Sequence, residues 1–296
     1  MLSRDLIARI RRIEITTRRA VQDSLAGEYS SVFKGRGMAF SEVRLYQPGD
    51  EIRTIDWNVS ARMQEPWVKV FTEERELTVM LLVDLSGSQD FGTVAKTKAE
   101  VAAEIAALLA FAAIANNDRV GAILFTDRIE RFVPPKKGRK HVLALIGEIL
   151  DARPQGRGTD LSGALGFLGR VNRRRTVSFV LSDFLVPGGP VHEQALRVAA
   201  RRHDLVPIAI ADPFEEALPD LGLVLARDPE TGAVATVDLG DAALRRRYEA
   251  LIARQREARA RLFRRLDLDA VEIRAGAPYA NTLVRFFHAR ARRRAG

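Results

Sequence analysis

The sequence predicts an α/β fold in which a doubly wound, mainly parallel sheet carries helices on both faces. From residue 77 onward, apolar runs of strand length alternate with segments of helical periodicity, which is typical of parallel strands joined by helices. The first run, residues 77–83, contains no charged residue, as expected of a strand that is buried on both faces. With 296 residues, 47% of them hydrophobic, the chain is long enough to bury a complete core.

An amphipathic helix is expected at the start of the chain. Leu6, Ile10 and Ile13 share one face of a helix over residues 2–25, and Gly27 is expected to end it.

Between residues 30 and 75, short extended pieces alternate with turns, among them the turn at Pro48-Gly49-Asp50. This stretch is too short and irregular for an independent domain, so we expect a β-rich flap built onto the larger domain that comes after it in the chain. Residues 1–76 are therefore predicted to form an N-terminal helix and flap that are not independent, and residues 77–296 are predicted to form the main domain.

The main domain alternates strands and helices. Strands are expected at residues 77–83, 119–125, 176–181, 205–211 and 270–273, with a hairpin partner at 128–133. Helices are expected at residues 96–116, 141–150, 161–171, 193–202, 241–266 and 281–292. A β-hairpin insertion is expected near residues 221–238, because two extended segments flank a turn that begins at Asp228.

The composition narrows the functional classes. The chain has 47 Lys and Arg against 38 Asp and Glu, a net charge of +9, which makes nucleic acid or anionic lipid a partner to consider. Nearly all of this charge is arginine, a bias that base composition alone produces, so it is weak evidence. The absence of cysteine excludes disulfides, zinc thiolates and a thiol nucleophile. No secretory signal or apolar run of membrane-spanning length is found, so a cytoplasmic location is expected.

Polar side chains come directly after the first buried strand. Residues 84–88 read Asp-Leu-Ser-Gly-Ser, and such a turn folds the oxygens of Asp84, Ser86 and Ser88 around one hard cation. Asp183 stands after another buried strand. Because open α/β sheets place ligands at the carboxyl ends of their parallel strands, these residues are predicted to meet at one edge of the sheet.

The string Asp-Leu-Ser-Gly occurs a second time, from Asp160 onward. Here Asp160 is expected to cap a helix, whereas Thr159 before it delivers an oxygen to the same site. Capping is also the alternative for the first loop, because Ser and Asp are preferred N-cap residues. The order of Asp84, Thr159 and Asp183 along the chain favours a divalent metal site over caps alone.

The order and spacing of these residues resemble the metal-ion-dependent adhesion site (MIDAS) of von Willebrand factor A domains. The resemblance implies that Asp183 acts on Mg²⁺ mainly through water and that four side chains approach it directly or through water, namely those of Asp84, Ser86, Ser88 and Thr159. It also implies a coordination position for a carboxylate from a protein partner. Mn²⁺ and Ca²⁺ are alternatives to Mg²⁺, and weak binding is expected without the partner because only two carboxylates meet the cation.

A second resemblance covers roughly residues 30 to 292. Its motifs are Arg44-x-Tyr46-x-Pro48-Gly49-Asp50-x-x-Arg53-x-x-Asp56-Trp57, Ala61-Arg62, Asp212-Pro213-x-Glu215, the Asp228 turn, and Phe286-Phe287 with Arg290. They resemble the bacterial family called domain of unknown function fifty-eight, whose members are von Willebrand A-like. The resemblance implies an adaptor or assembly factor that works with a MoxR-type AAA+ ATPase.

Charged residues of the flap form a candidate interaction surface, consisting of Arg44, Asp50, Arg53, Asp56 and Arg62. The favoured alternative is an internal network of salt bridges and turns that pins the flap to the sheet, because Arg–carboxylate pairs serve structure well. Trp57 and Trp67 are expected to be packing residues. The C-terminal arginines, Arg290 among them, are expected to be solvated.

The sequence holds no nucleophile elbow, Walker loop, dinucleotide-binding glycine pattern or zinc-protease motif, and we expect no enzymatic activity. The arginine-rich helix at 241–266 has a buried apolar stripe and is first of all an amphipathic helix, so nucleic acid is not the expected partner. The leading hypothesis is a metal-dependent protein-binding module that acts on a MoxR-type ATPase or its client. The alternatives are a metal-dependent phosphoesterase or nuclease at the same carboxylates, and a nonspecific nucleic-acid binder.

Overall fold

The computed structural model describes residues 4–20, 25–33, 37–74, 76–185 and 192–295. The strands are β1 (Gly37–Leu45), β2 (Trp67–Glu74), β3 (Thr78–Asp84), β4 (Arg119–Phe125), β5 (Ile129–Lys136), β6 (Val177–Ser182), β7 (Asp204–Ala211), β8 (Leu223–Arg227), β9 (Val234–Asp238) and β10 (Val271–Arg274). The helices are α1 (Arg4–Ala20), α2 (Ala26–Val32), α3 (Trp57–Met63), α4 (Lys98–Ala115), α5 (Arg139–Leu150), α6 (Leu161–Val171), α7 (Glu193–Arg202), α8 (Pro213–Glu216), α9 (Ala242–Arg265) and α10 (Tyr279–Ala295).

The predicted α/β class is confirmed by the central sheet. Its strand order is β10-β7-β6-β3-β4-β5, and every neighbouring pair is parallel except β4 and β5, which are antiparallel. Residues 223–238 form the predicted hairpin insertion, in which β8 and β9 pair antiparallel. The helices and strands predicted for the main domain are found in the predicted order, and the short helix α8 is an addition to them.

Successive side chains of a strand point to opposite sides of the sheet. Each face therefore needs its own covering layer, and helices cover both faces. On one face Met80, Leu82 and Phe125 share a core with Leu165 of α6 and Phe263 of α9, and α7 also packs there. On the other face α4 lies against the sheet, with α1, α2, α5 and α10 packed around it. This layering is the one expected of a doubly wound sheet.

The central helix α4 is apolar on all sides, since most of its residues are buried. It begins after Thr97, whose side chain accepts the amide of Glu100 while the Glu100 carboxylate accepts the amide of Thr97. Such a capping box satisfies two otherwise unpaired amides and fixes where the helix starts. No helix within the described residues is both long and apolar enough to cross a membrane, and the cytoplasmic location stays a prediction.

The chain divides into two compact units, one made of Met1–Val32 with Thr78–Gly296 and one made of Phe33–Leu77. The N-terminal helices thus belong with the sheet, and the flap is a unit of its own. Of the expected helix over residues 2–25 the structure describes α1, Arg4–Ala20, and Gly27 lies inside α2 rather than ending a helix. Ile10 and Ile13 are buried as expected, whereas the side chain of Leu6 lies outside the described part.

The flap unit is a two-stranded sheet of β1 and β2 with the short helix α3. Asp56 caps α3 by accepting the amides of Asn58 and Val59. The prediction that Trp57 packs inside the protein is wrong, since its side chain is 69% exposed. The reason is that Trp57 is the first residue of a helix that buries none of its residues.

Arg290 corrects another expectation, because it is buried on α10 rather than solvated. Its guanidinium, 3% exposed, pairs with Asp204 and, at 2.8 Å, with Asp269.

Arg290→Met is expected to lower the free energy of unfolding by about 2 kcal/mol, since both carboxylates keep some contact with water when the charge is removed. Urea denaturation measures this change. The exposed Arg285 on the same helix is the control, and Arg285→Met with an equal loss would contradict the prediction.

Candidate metal site and its buried ion pair

Asp84 and Asp183 lie at the carboxyl ends of neighbouring parallel strands. Asp84 is the last residue of β3, and Asp183 directly follows β6, which pairs with β3. The chain winds from β3 towards β4 and β5 and then returns to place β6 on the opposite side of β3. The two carboxylates therefore lie where the direction of winding reverses, which is the position at which open α/β sheets bind ligands.

A chain of hydrogen bonds joins the loop after β3 to Asp183. The Ser86 amide donates to Asp84 Oδ1 at 2.9 Å, the Ser86 and Ser88 hydroxyl oxygens are 3.2 Å apart, and Ser88 Oγ donates to Asp183 Oδ2 at 2.8 Å. The capping alternative for this loop is wrong, because Ser86 makes no side-chain capping bond and α4 is capped by Thr97. Four of the five predicted metal ligands thus form one cluster.

The loop before α6 brings Thr159 to the same edge of the sheet. The Gly87 amide donates to the Arg157 carbonyl at 2.8 Å, so the two loops touch close to Thr159. The side chain of Thr159 and the charge of Asp183 both act on the pKa of Glu230 in the β8–β9 turn, in opposite directions. As predicted, Asp160 caps α6 and accepts an amide of its first turn at 2.9 Å.

A buried lysine also binds Asp183. Lys98, the first residue of α4, has a fully buried side chain, and its ammonium donates to Asp183 Oδ2 at 2.7 Å and to Glu215 on α8. Burial favours the neutral amine, but the charges of Asp183 and Glu215 outweigh it and raise the pKa of Lys98. The ion pair therefore places a permanent positive charge at the edge of the candidate site.

Two carboxylates of the site have raised pKa values. Burial, followed by the charge of Asp183, raises the pKa of Asp84 to about 6, while hydrogen bonds from Ser182 and Ser86 act in the opposite direction. Burial, followed by the charges of Asp183 and Asp228, raises the pKa of Glu230, and the side chain of Thr159 opposes the rise. Like charges repel at this edge of the sheet, so additional positive charge would stabilise it.

The donor set fits a hard divalent cation. It consists of carboxylate and hydroxyl oxygens, which suit Mg²⁺. One ammonium faces more than one carboxylate, since Lys98 binds both Asp183 and Glu215 and its charge also acts on Glu230. Gln89, in the turn after Ser88, buries both amide atoms without a partner among the described residues. Within those residues no group of three or more His, Asp or Glu side chains is arranged to hold a metal, so hydroxyls would have to complete the site.

The flap residues divide into two groups. Arg44 holds Asp50 through two bonds of 2.8 and 2.7 Å, and Asp56 caps α3 and lies 3.3 Å from the Lys69 ammonium. These contacts lie within the flap unit, and the expectation that such a network pins the flap to the sheet stays a prediction. Arg53 and Arg62 are exposed and show no ion pair in the part of the chain that the structure describes. The two free guanidinium groups remain a candidate interaction surface.

Sequence reasoning does not find Lys98, Ser182 or Glu230 as members of the site. Ser182 donates to Asp84 Oδ2 at 2.6 Å, and its position one residue before Asp183 is a usable signal, since both lie at the end of a strand. Glu230 belongs to the Asp228 turn, which the sequence marks as a hairpin turn and through the family resemblance, and neither signal points to the metal site. Nothing local marks Lys98, because a lysine in the first turn of a helix is usually solvated.

The comparisons with known proteins agree with the second resemblance. The family described as Protein of unknown function DUF58 matches residues 42–258. The chain belongs to this family. An uncharacterized protein of Mycobacterium tuberculosis, Rv1480, is 34% identical over 290 residues, which are 97% of this chain and 90% of that relative. The uncharacterized YeaD of Bacillus subtilis is 31% identical over 80 residues, 27% of this chain and 20% of YeaD.

Two solved structures are also similar to this DUF58 protein. The conserved hypothetical protein BatB from Bacteroides thetaiotaomicron is 17% identical, with a TM-score of 0.48 over 73% of this chain and 99% of BatB. The SpRpn10 VWA domain is 13% identical, with a TM-score of 0.38 over 71% of this chain and 94% of that domain.

Proposed function

We propose that this DUF58 protein is a metal-dependent protein-binding module that clasps an acidic side chain of a partner. The observation that carries the proposal is the hydrogen-bonded cluster of Asp84, Ser86, Ser88 and Asp183 at the winding reversal of the sheet. A bound Mg²⁺, with Mn²⁺ or Ca²⁺ as alternatives, would supply the positive charge that attracts the partner's carboxylate.

Each residue of the cluster has a distinct proposed role. Asp84 and Asp183 supply negative charge to the cation. The hydroxyls of Ser86, Ser88 and Thr159 supply neutral oxygens. Since the cation would share Asp183 with Lys98 and would meet few carboxylates, its binding is expected to be weak until a partner contributes one.

Binding rather than turnover is proposed because three of the four histidines, which are the usual general bases at neutral pH, bond to groups outside the proposed cluster. His141 bonds to the Val120 carbonyl, and His192 and His203 bond to hydroxyls of other residues than the five proposed ligands. A metal-dependent phosphoesterase or nuclease is the alternative outcome, in which the same carboxylates would support hydrolysis.

The arginines of α9 favour a protein partner over nucleic acid. Several of them are paired with acidic side chains of the same chain, as in Arg256 with Glu216, Arg259 with Glu272 and Arg265 with Glu193. Paired arginines contribute less to a field that attracts phosphates. A MoxR-type AAA+ ATPase or its client is proposed as the partner, on the strength of the DUF58 resemblance, and the cytoplasm is the proposed location.

The test begins with the metal. Isothermal titration with MgCl₂ is expected to show binding to the wild-type chain and loss of binding in Asp84→Asn, because the variant removes charge without changing side-chain size. Asp90→Asn is the matched control, since Asp90 is exposed in the turn after Ser88. Equal Mg²⁺ binding by the wild type and Asp84→Asn would contradict the proposed site.

The second step tests the partner. The MoxR-type ATPase, purified with the wild-type chain, is expected to stay bound in Mg²⁺ and to be released by EDTA or by Asp84→Asn. Retention that is equal with and without EDTA would contradict metal-dependent clasping. Hydrolysis of phosphate esters in Mg²⁺ or Mn²⁺ that is lost in Asp183→Asn would favour the phosphoesterase alternative.

A further inference from the structure

A cleft lies at the opposite end of the sheet from the candidate metal site. Its volume is about 690 Å³, and its lining includes Arg175, two residues before β6 begins, and Asp204, the first residue of β7. Asp84 and Asp183 lie at the carboxyl ends of their strands, whereas the cleft lies where β6 and β7 begin. The cleft is therefore separate from the candidate metal site.

The wall of the cleft is rich in arginine. Within the described residues three aspartates line it, whereas twice as many arginines do. The arginines come from the segment before β6 and from α7, α9 and α10, and they are Arg175, Arg197, Arg201, Arg265, Arg290 and Arg293. Charges of one sign on a concave wall reinforce each other's field, so the cleft attracts anions.

The neighbouring carboxylates do not compensate all of this charge. Glu193 binds two arginines of the wall, and Asp269 binds two others. Arg175 and Arg201 are exposed and form no ion pair within the part of the chain that the structure describes. Even with the exposed Asp267 included, positive charges outnumber negative ones along the wall. Two guanidinium groups are therefore available to a ligand.

A buried hydrogen-bond donor also belongs to the wall. His203, which is 2% exposed, lines the cleft. Its Nδ1 accepts the Thr176 amide at 3.4 Å and lies 2.9 Å from the Thr176 hydroxyl oxygen, so the hydrogen of the neutral ring is on Nε2. That nitrogen is buried and has no hydrogen-bond partner among the described residues. A buried donor without an acceptor is costly for the folded protein, and an anion in the cleft would supply the acceptor.

The chemistry of the wall favours phosphate groups. Guanidinium groups bind phosphate oxygens through pairs of N–H donors, and His203 adds a further donor. Because the arginines come from four segments around the cleft, a chain of two or more phosphates contacts more of them than a single phosphate does. Apart from the imidazole, no aromatic ring of the described residues lines the cleft, so no other ring there can stack on a nucleotide base.

We propose that this cleft binds a ligand carrying two or more linked phosphate groups, with Arg175 and Arg201 as the main charged contacts and the Nε2 hydrogen of His203 donated to a phosphate oxygen. This site does not depend on a bound metal ion, so it adds a second binding function to the proposed protein-binding module. Inorganic polyphosphate and the phosphate end of a nucleoside triphosphate share this chemistry.

Isothermal titration of the whole chain in EDTA, with tripolyphosphate as the probe, tests the proposal. The wild type is expected to bind it, and Arg175→Gln and Arg201→Gln are each expected to weaken binding about tenfold, since each removes charge-assisted hydrogen bonds. Arg254→Gln is the matched control, because Arg254 on α9 is exposed and does not line the cleft, and it is expected to bind like the wild type.

Titration with ATP under the same conditions distinguishes the two sources of phosphate. Affinity equal to that for tripolyphosphate indicates that the phosphate chain alone is recognised, and higher affinity indicates a nucleoside triphosphate. Both results support the proposed site, provided that the two cleft variants lose the binding.

NMR of the chain labelled with ¹⁵N at histidine gives a second measurement, which a change in stability would not reproduce. Tripolyphosphate is expected to shift the Nε2 resonance of His203 and to leave the resonances of the exposed His288 unchanged. An unchanged Nε2 resonance of His203 at saturating tripolyphosphate would overturn the proposal.

Two further results would also overturn it. The first is the absence of tripolyphosphate binding by the wild type. The second is an equal loss of affinity in Arg254→Gln and the two cleft variants, because this would indicate diffuse attraction to the net positive charge. If a short RNA duplex also bound more tightly than tripolyphosphate, with an equal loss in all three variants, the surface would be assigned to nonspecific nucleic-acid binding instead.

Discussion

Lys98→Met is expected to lower the free energy of unfolding by about 3–5 kcal/mol in EDTA, because removing one partner of a buried ion pair leaves the other uncompensated. The ammonium of Lys98 is the charge partner of both Asp183 and Glu215, and its side chain has no access to solvent. Methionine keeps the length of the apolar stem, so the loss measures the charge rather than a cavity. Urea denaturation at pH 7 gives the change.

Mg²⁺ is expected to restore part of that stability in Lys98→Met, and to stabilise this variant more than the wild type. The reason is that a dication at Asp183 no longer competes with an ammonium, and a ligand that binds the folded state alone stabilises it. Lys96→Met is the matched control, since Lys96 pairs with Glu104 in an exposed ion pair, and such pairs contribute little. Mg²⁺ stabilisation of equal size in Lys98→Met and the wild type would contradict the shared role of Asp183.

Asp84→Asn is expected to raise the free energy of unfolding by about 3 kcal/mol at pH 7 in EDTA, because the pKa of Asp84 is raised from 3.8 to about 6 in the folded protein. A carboxyl with a raised pKa binds more protons when folded than when unfolded. The stability of the wild type therefore falls as the pH rises between about 4 and about 6. Asparagine does not ionise, so the two proteins should be nearly equally stable at pH 4 and diverge above it.

Saturating Mg²⁺ is expected to reverse the order of the two proteins at pH 7. The wild type then gains binding free energy that needs the ionised carboxylate, whereas Asp84→Asn gains none. Thermal unfolding at several pH values, with Mg²⁺ and with EDTA, measures both effects. A constant difference between the two proteins from pH 4 to pH 7 would show that Asp84 does not titrate in this range.

The architecture could be predicted because its signals are local. The apolar run before Asp84 marks a strand buried on both faces, and the spacing of apolar residues in α6 and α7 marks helices. Asp84 and Asp183 are expected at one edge because parallel strands share their carboxyl ends, and that placement is found. Such inferences need only the spacing of apolar residues within a segment and the type of the segments next to it in the chain. They need no knowledge of contacts between distant residues.

The ion pair of Lys98 and the close approach of Gly87 to Pro229 in the β8–β9 turn could not be predicted, because both join segments that are distant in the chain. Lys98 and Asp183 are 85 residues apart, and the lysine lies in a first helical turn where most lysines are solvated. In the sequence Glu215 stands out only as part of the Asp212-Pro213-x-Glu215 motif, and in the structure it also closes a capping box at the start of α8. The expectation for Trp57 is wrong for the opposite reason, since a large aromatic residue is usually buried but here begins a short helix with no buried face.

The helix α4 has protein on all sides, and this gives the site a fixed reference point. Because α4 cannot slide without disturbing the sheet and the helices around it, the nitrogen of Lys98 is held at a fixed position relative to the sheet. Motion at the site can therefore be followed as a distance from the start of α4. The chain has no cysteine, so pairs of engineered cysteines, one beside α4 and one in the hairpin, would carry spectroscopic labels without interference.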